Sequence, residues 1–336
     1  MATIHDVAKR AGVAPITVSR VINRSGYASP ETRARVEAAV AELGYVPNRL
    51  ASSLRSKRTR TLALVITDIT NPFFTTVARG VEDTASDAGY TVVFCNTDES
   101  EIEETKYLQV LLQQRVDGIL LVPAGGAPDS IDLIRKQSTP VVVLDRRMPP
   151  GVNVDTVRCE NEAGAYQLVK ILLELGHRHI AILSGPLGVS TAEDRLSGYR
   201  RAMRESGIDD LAQAVVHGAF NRASGFAMMQ EVLTYTPRPK AIFAANNLIC
   251  IGALHAIQET GWRVPEDFAM VTFDDLPLSL LAFPFFTVAA QPAYDMGQRA
   301  TELLLARLAH GAPEQCQEII LPTQIIVRQS SGSPRR

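Results

Sequence analysis

The sequence predicts an all-α, helix-turn-helix head followed by an α/β body built as two doubly wound parallel-sheet halves. Three observations predict it. Charge is split along the chain, with 11 Lys/Arg and 4 Asp/Glu in residues 1–60 against 23 and 32 in the remainder. The first sixty residues place apolar side chains at helical spacing between capping residues. From Thr61 onward, short apolar runs alternate with amphipathic stretches. A basic head on an acidic body means that the head meets a polyanion and the body does not. A length of 336 residues with 46 % apolar and 21 % charged residues gives two or three globular domains with real cores.

In the head, Thr3 and Asp6 form the pattern that satisfies free amides at a helix start. Ile4, Val7, Ala8 and Ala11 then recur at helical spacing, and Gly12 ends the helix. Pro15 suits the first turn of a second helix, where a missing N–H costs nothing. Val13 and Val18 can staple that turn, although Ala14 is a weak N-cap. Val18, Val21 and Ile22 face inward and leave Pro15, Ile16, Thr17, Ser19, Arg20 and Asn23 outside. Ser29-Pro30-Glu31 opens a third helix, which carries Val36, Val40 and Leu43 inward and stops at Gly44. Two short helices about a glycine turn, with a third as buttress, form the unit that lays its second helix in the DNA major groove. A protein-binding three-helix module is the plain alternative, and the positive balance argues against it. Asn48 to Arg55, followed by Lys57, Arg58 and Arg60, is too brief to be helical by itself and orders when phosphates hold it.

Thr3–Asn23 (TIHDVAKRAGVAPITVSRVIN), ELGYVPN at Glu42–Asn48 and LASSLR at Leu50–Arg55 resemble the LacI/GalR family of bacterial transcription regulators. At this end the chain is especially similar to the purine-responsive members. The resemblance implies a cytoplasmic, nucleoid-bound dimer whose paired hinge helices enter the minor groove of a pseudo-palindromic operator. It assigns DNA contacts to Thr3, Pro15, Ile16, Thr17, Ser19, Arg20, Asn23, Asn48, Ala51, Ser53 and Leu54. Leu54 matches the leucine that wedges into a base step and bends the duplex. Pro15, Ile16 and Arg20 match the base-choosing positions, and of these Arg20 alone donates side-chain hydrogen bonds. Ala14 departs from the family's usual Ser.

Body strands are expected at Leu62–Thr67, Thr91–Cys95, Gly118–Val122, Val141–Leu144, Ile180–Leu183, Ala214–Val216, Ala241–Ala244 and Ala269–Phe273. Helical stretches separate them: Phe73–Ala88, Glu103–Gln114, Ile131–Lys136, Ala163–Leu175, Glu193–Ser206, Ala223–Leu233 and Leu248–Thr260. Strands apolar throughout mean parallel sheets covered on both faces, with ligands expected in the crevice at their carboxyl ends. The body also resembles the family's periplasmic-binding-protein-like effector domain. That resemblance implies boundaries: 1–46 for the head, 47–60 for hinge and linker, 61–159 with 291–320 for one half, 160–290 with 321–328 for the other, and a flexible tail at 329–336. It also implies effector contacts at Phe73, Phe74, Asp145, Arg146, Arg195, Phe220, Asn246, Asp274 and Gln291. Of Phe73 and Phe74, one is expected to face the ligand and one the core. Asn247 replaces the family's usual Asp, and Arg146 stands where purine-responsive members carry an aromatic ring. These features favour a sugar, sugar acid or phosphorylated sugar as effector, with a purine corepressor as the alternative.

Other classes fit poorly. A sugar carrier for transport needs a signal peptide and no basic head, whereas this N-terminus is charged and lacks an apolar core segment. No apolar run approaches the roughly 18 residues of a membrane span. There is no GxGxxG after a strand, no Walker loop and no GxSxG, so no enzyme or cofactor is indicated. Cys95, Cys159, Cys250 and Cys316 lack metal-ligand spacing, and His177 and His179 sit in a structural turn, so no metal is expected. The polar end after Arg328 has no leucine heptads, which leaves a homodimer rather than a coiled-coil tetramer.

Overall fold

The computed structural model describes residues 2–23, 25–46, 58–126, 128–208, 215–276, 285–311 and 315–332. The chain divides into two compact units, Met1–Thr59 and Arg60–Arg336.

The head is three helices: α1 (Ile4–Ala11), α2 (Pro15–Ile22) and α3 (Pro30–Leu43). The Thr3–Asp6 capping box forms at the start of α1, and Gly12 and Gly44 end α1 and α3 at φ 64° and 56°. No side chain caps α2 at Ala14, whereas the Ser29 hydroxyl accepts from the Thr32 amide at α3. Val7, Ala8, Ala11, Val18, Val21, Val36 and Ala39 form the head's core, with Val13 and Ile22 packed on it. So small a core leaves little in reserve, since each buried valine stabilises by about 1.5–3 kcal/mol.

The body opens with β1 (Thr61–Ile66), α4 (Pro72–Asp87), β2 (Thr91–Asn96), α5 (Glu101–Gln113), β3 (Gly118–Leu121), α6 (Asp129–Lys136), β4 (Val141–Leu144) and β5 (Asp155–Cys159). It continues with α7 (Asn161–Glu174), β6 (Ile180–Ser184), α8 (Ser190–Glu205), β7 (Val215–His217), α9 (Arg222–Leu233), β8 (Ala241–Ala244), α10 (Asn247–Glu259), β9 (Ala269–Phe273) and β10 (Thr287–Ala290). Finally come α11 (Ala293–His310), β11 (Glu318–Leu321) and β12 (Gln324–Ile326).

One sheet has the order β11-β5-β4-β3-β1-β2 and is parallel throughout. The other runs β12-β10-β9-β8-β6-β7, with only β12 antiparallel to its neighbour. The chain passes between the sheets three times, at 159–161, 290–293 and 321–324. Central strands are buried along their whole length because helices cover both faces. Glycines let the covering helices touch backbone to backbone. A Cβ at Gly80 of α4 would strike the Tyr294 carbonyl of α11, and one at Gly252 of α10 the Arg222 carbonyl of α9.

One boundary expectation is corrected. Gln329–Ser331 is not a loose tail but a 3-10 turn, and Ser330 and Ser331 are buried. The Ser330 hydroxyl donates to the Met270 carbonyl (2.6 Å) and accepts from the Thr287 amide (2.8 Å), which pins the turn to the second sheet. Residues 333–336 lie outside the described residues.

Candidate functional site

In parallel sheets all carboxyl strand ends lie along one edge, and here the two edges face each other across a crevice. The residue after β4 is Asp145 and the residue after β9 is Asp274, and both are left-handed, at φ 65° and 66°. Aspartate tolerates that region better than most residues. Each amide donates to the next strand of its own sheet, Asp145 to the Val157 carbonyl and Asp274 to the Ala289 carbonyl. The two halves thus present the same turn and the same carboxylate, and both side chains are buried.

Arg195 of α8 stands beside them. Its Nε donates to Asn161 Oδ1 (2.8 Å) and its Nη1 to the Ala245 carbonyl (2.7 Å), with Asp274 Oδ2 3.9 Å away. The guanidinium lies 4.0 Å above the Phe273 ring. Gln291 Nε2 donates to Asp274 Oδ1 (2.6 Å). Asn161 sits at the first crossing between the sheets and Gln291 at the second, so this network reaches both. Burial pushes the Asp145 carboxyl up to about 6; Arg195 and Arg146 hold it down, while Asp274 adds to the rise. Burial raises Asp274 as well, against Arg195 and Gln291.

All nine residues expected to touch an effector line one cavity at the strand ends. Phe73 and Phe74 both reach it, contrary to the expectation that one would be core. They meet edge-to-face with centroids 5.0 Å apart, and both also belong to the first sheet's core. Asn246 caps α10 through Oδ1, and Phe220 packs over Gly185. Arg146 faces Glu99 in a bidentate pair at 2.6 and 2.7 Å.

Asp68, Asn71, Glu99 and Thr191 line the cavity too and were missed from the sequence. Two of them carried a signal. Glu99 follows the carboxyl end of β2, and Thr191 precedes Arg195 by four residues on the same helix face. Asn71 caps α4 and accepts from Asn247 Nδ2 (3.1 Å), which joins the two halves across the crevice. An aspartate at 247 would have no donor for that bond. Asn247→Asp is therefore expected to cost about 1–3 kcal/mol, read as a lower Tm and a matching drop in ligand affinity. Unchanged values would show that the contact does not hold the halves together.

On the head, Ile16, Arg20 and Asn23 are exposed along α2, and Pro15, Thr17 and Ser19 are half-buried beside them. Asn23 Nδ2 donates to Ser19 Oγ (3.2 Å), and Thr3 is committed to its capping box. Asn48, Ala51, Ser53 and Leu54 lie outside the described residues. Among the described residues there is no group of three or more His, Cys, Asp or Glu placed to hold a metal, and no helix long and apolar enough to cross a membrane.

A three-helix head with an exposed, donor-bearing second helix, joined to a two-sheet body with a polar cavity at its strand ends, defines a ligand-responsive DNA-binding regulator. Residues 3–48 match the family described as bacterial regulatory proteins, lacI family, and residues 169–331 match a periplasmic binding protein-like domain. The ribose operon repressor of Halalkalibacterium halodurans is 39 % identical over 331 residues, 98 % of this chain and 97 % of that protein. The lac repressor dimer bound to operator and the anti-inducer ONPF superposes with a TM-score of 0.85 at 30 % identity, covering 99 % of each chain. A LacI family regulator from Enterococcus faecium with bound ribose gives a TM-score of 0.73 at 28 % identity, over 82 % of this chain and all of that one.

The chain belongs to the LacI family. It is a DNA-binding transcriptional repressor controlled by a small effector, and not an enzyme.

Proposed function

We propose that the effector is a sugar, of pentose size, enclosed between the two halves of the body. The observation that carries this reading is a set of buried acceptors without donors. Two residues that line the cavity, Asp145 through Oδ1 and Gln291 through Oε1, have no hydrogen-bond partner at those atoms among the described residues. Native proteins seldom leave such atoms bare, because each costs about 1–3 kcal/mol. A ligand that satisfies them brings O–H donors, and the aromatic side chains of Phe73, Phe74 and Phe220 suit the apolar face of a sugar ring. The H. halodurans relative named for the ribose operon and the ribose-bound E. faecium structure support the same class. A purine finds a guanidinium at position 146 in place of a ring.

Occupancy then reaches the DNA through the crossings. Filling the site fixes Gln291 and Arg195, and through them the segments at 290–293 and 161, so the two halves rotate against each other. That rotation changes the approach of the paired hinge segments in the dimer, and operator affinity shifts by the coupling free energy. We place this activity in the cytoplasm, on the nucleoid. Leu54→Ala is expected to weaken operator binding while leaving the thermal stability of the body unchanged. Equal operator affinity in that variant would remove the wedge.

Calorimetric titration of the full-length protein with ribose, related pentoses and nucleobases tests the effector class. Saturable binding of a pentose is expected. Binding of a nucleobase with no response to any sugar would overturn the reading.

A further inference from the structure

Four carboxylates line the cavity (Asp68, Glu99, Asp145 and Asp274) against two guanidiniums, Arg146 and Arg195. Arg195 already faces Asp274 at 3.9 Å, and its charge holds down both Asp145 and Asp274. Arg146 looks at first like the natural receptor for an anionic ligand, yet it is engaged. Its Nη1 donates to Glu99 Oε2 (2.7 Å) and to the carbonyls of Pro123 (2.8 Å) and Ala124 (3.1 Å), and its Nη2 donates to Glu99 Oε1 (2.6 Å). The Arg146 side chain is 5 % exposed and that of Glu99 is 29 % exposed, so the pair is closed on the protein side and the glutamate forms part of the lip.

The backbone holds Glu99 in that position. Asp98 and Glu99 are both left-handed, at φ 50° and 58°, a conformation kept only where the surroundings over-determine it. The Glu99 amide donates to the Thr67 carbonyl (3.2 Å), and Asn96 Nδ2 holds the Asp98 carboxylate (2.7 Å). An incoming anion has two routes. It can displace Glu99 and strand that carboxylate beside itself, or it can approach Arg195 beside the buried Asp274. Both are repulsive in a poorly hydrated site.

We propose that Glu99 sets the charge class of the ligand: by neutralising Arg146, whose Nε alone is left without a hydrogen-bond partner among the described residues, it turns an anion receptor into a neutral wall, so the cavity takes uncharged sugars and rejects sugar acids and sugar phosphates. The inference rests on the reading of the cavity as a sugar site. It narrows the sequence expectation, which left sugar acids and phosphorylated sugars open. Glu99→Gln keeps an acceptor for Arg146 and removes only the countercharge.

The test is thermal unfolding of the full-length protein, followed through its single tryptophan, Trp262, with ribose, ribose 5-phosphate and inorganic phosphate as probes. Wild type, Glu99→Gln and Glu99→Gln/Arg146→Met are compared, so that any anion effect on the basic head cancels. The wild type is expected to be stabilised by ribose, with ribose 5-phosphate doing no more than inorganic phosphate does. Glu99→Gln is expected to gain at least about tenfold in affinity for ribose 5-phosphate, and the double variant to lose that gain. Equal responses of wild type and Glu99→Gln to ribose 5-phosphate would overturn the proposal. So would wild-type protein that binds ribose 5-phosphate as tightly as ribose in a calorimetric titration, a measurement that needs no variant. If neutral sugars leave the wild type unmoved while inorganic phosphate stabilises Glu99→Gln alone, the charge lock stands and the sugar assignment falls.

Discussion

Arg195→Met destabilises the body by about 3–5 kcal/mol at pH 7.5, the usual loss when one partner of a buried ionic cluster is removed. Methionine fills much of the same volume, so the loss is electrostatic and polar rather than a cavity. Asp145 and Asp274 are left buried, facing each other with Arg146 as the remaining nearby cation and Glu99 already paired to it. The sign of the pH dependence follows. Burial already raises the Asp145 carboxyl from 3.8 to about 6 in the folded chain, so its ionised form opposes folding. For such a group, stability is fully present below the unfolded value and is lost as pH rises through the folded one. Without Arg195 the folded values of both aspartates climb further. Lowering the pH from 7.5 to 5 should therefore return part of the lost stability, because the carboxyls then carry protons. Urea unfolding at both pH values, read from Trp262, measures this. A loss equal at the two pH values would mean that Arg195 acts only through its bonds to Asn161 and the Ala245 carbonyl. The same variant is expected to bind operator and ignore effector.

Arg20→Ala has the largest expected effect on the DNA side. Arg20 is exposed on α2 beside Ile16 and the half-buried Pro15, and neither neighbour has a side-chain donor. A guanidinium that forks onto a guanine edge contributes roughly 1–3 kcal/mol of discrimination. The variant should lose roughly five- to 150-fold in specific affinity, with little change on random DNA. If Arg20 held a phosphate instead, specific and random DNA would weaken alike and the salt dependence would fall by about one contact. Competition binding with both DNAs at two salt concentrations separates these outcomes.

The central strands were legible because burial on both faces demands uninterrupted apolar runs, and Val141–Leu144, Ala241–Ala244 and Ala269–Phe273 appear at their observed bounds. β5, Asp155–Cys159, was not, because its polar residues are satisfied far away in sequence. Asp155 pairs with Arg307 at 2.7 and 2.8 Å, and Arg158 with Glu318 at 2.6 Å. β11 and β12 are short outer strands, only partly buried, and their apolar runs, Ile319–Leu321 and Ile325–Ile326, are too brief to stand out as strands. The cavity followed the same division. Asp145 and Asp274 could be placed as strand-end residues, whereas the role of Arg146 could not be read locally, since Glu99 lies 47 residues before it. Sequence separation hid the countercharge, and with it the charge of the ligand.

The central claim is that filling the cavity changes the grip of the head on DNA. Its most direct test is fluorescence anisotropy of a labelled operator, selected from random duplexes by the protein itself, titrated with protein in the presence and absence of saturating ribose. A coupling free energy of 1–3 kcal/mol predicts a shift of the midpoint by about 5- to 150-fold. Superimposable curves, with ribose shown by calorimetry to be bound, would contradict the account.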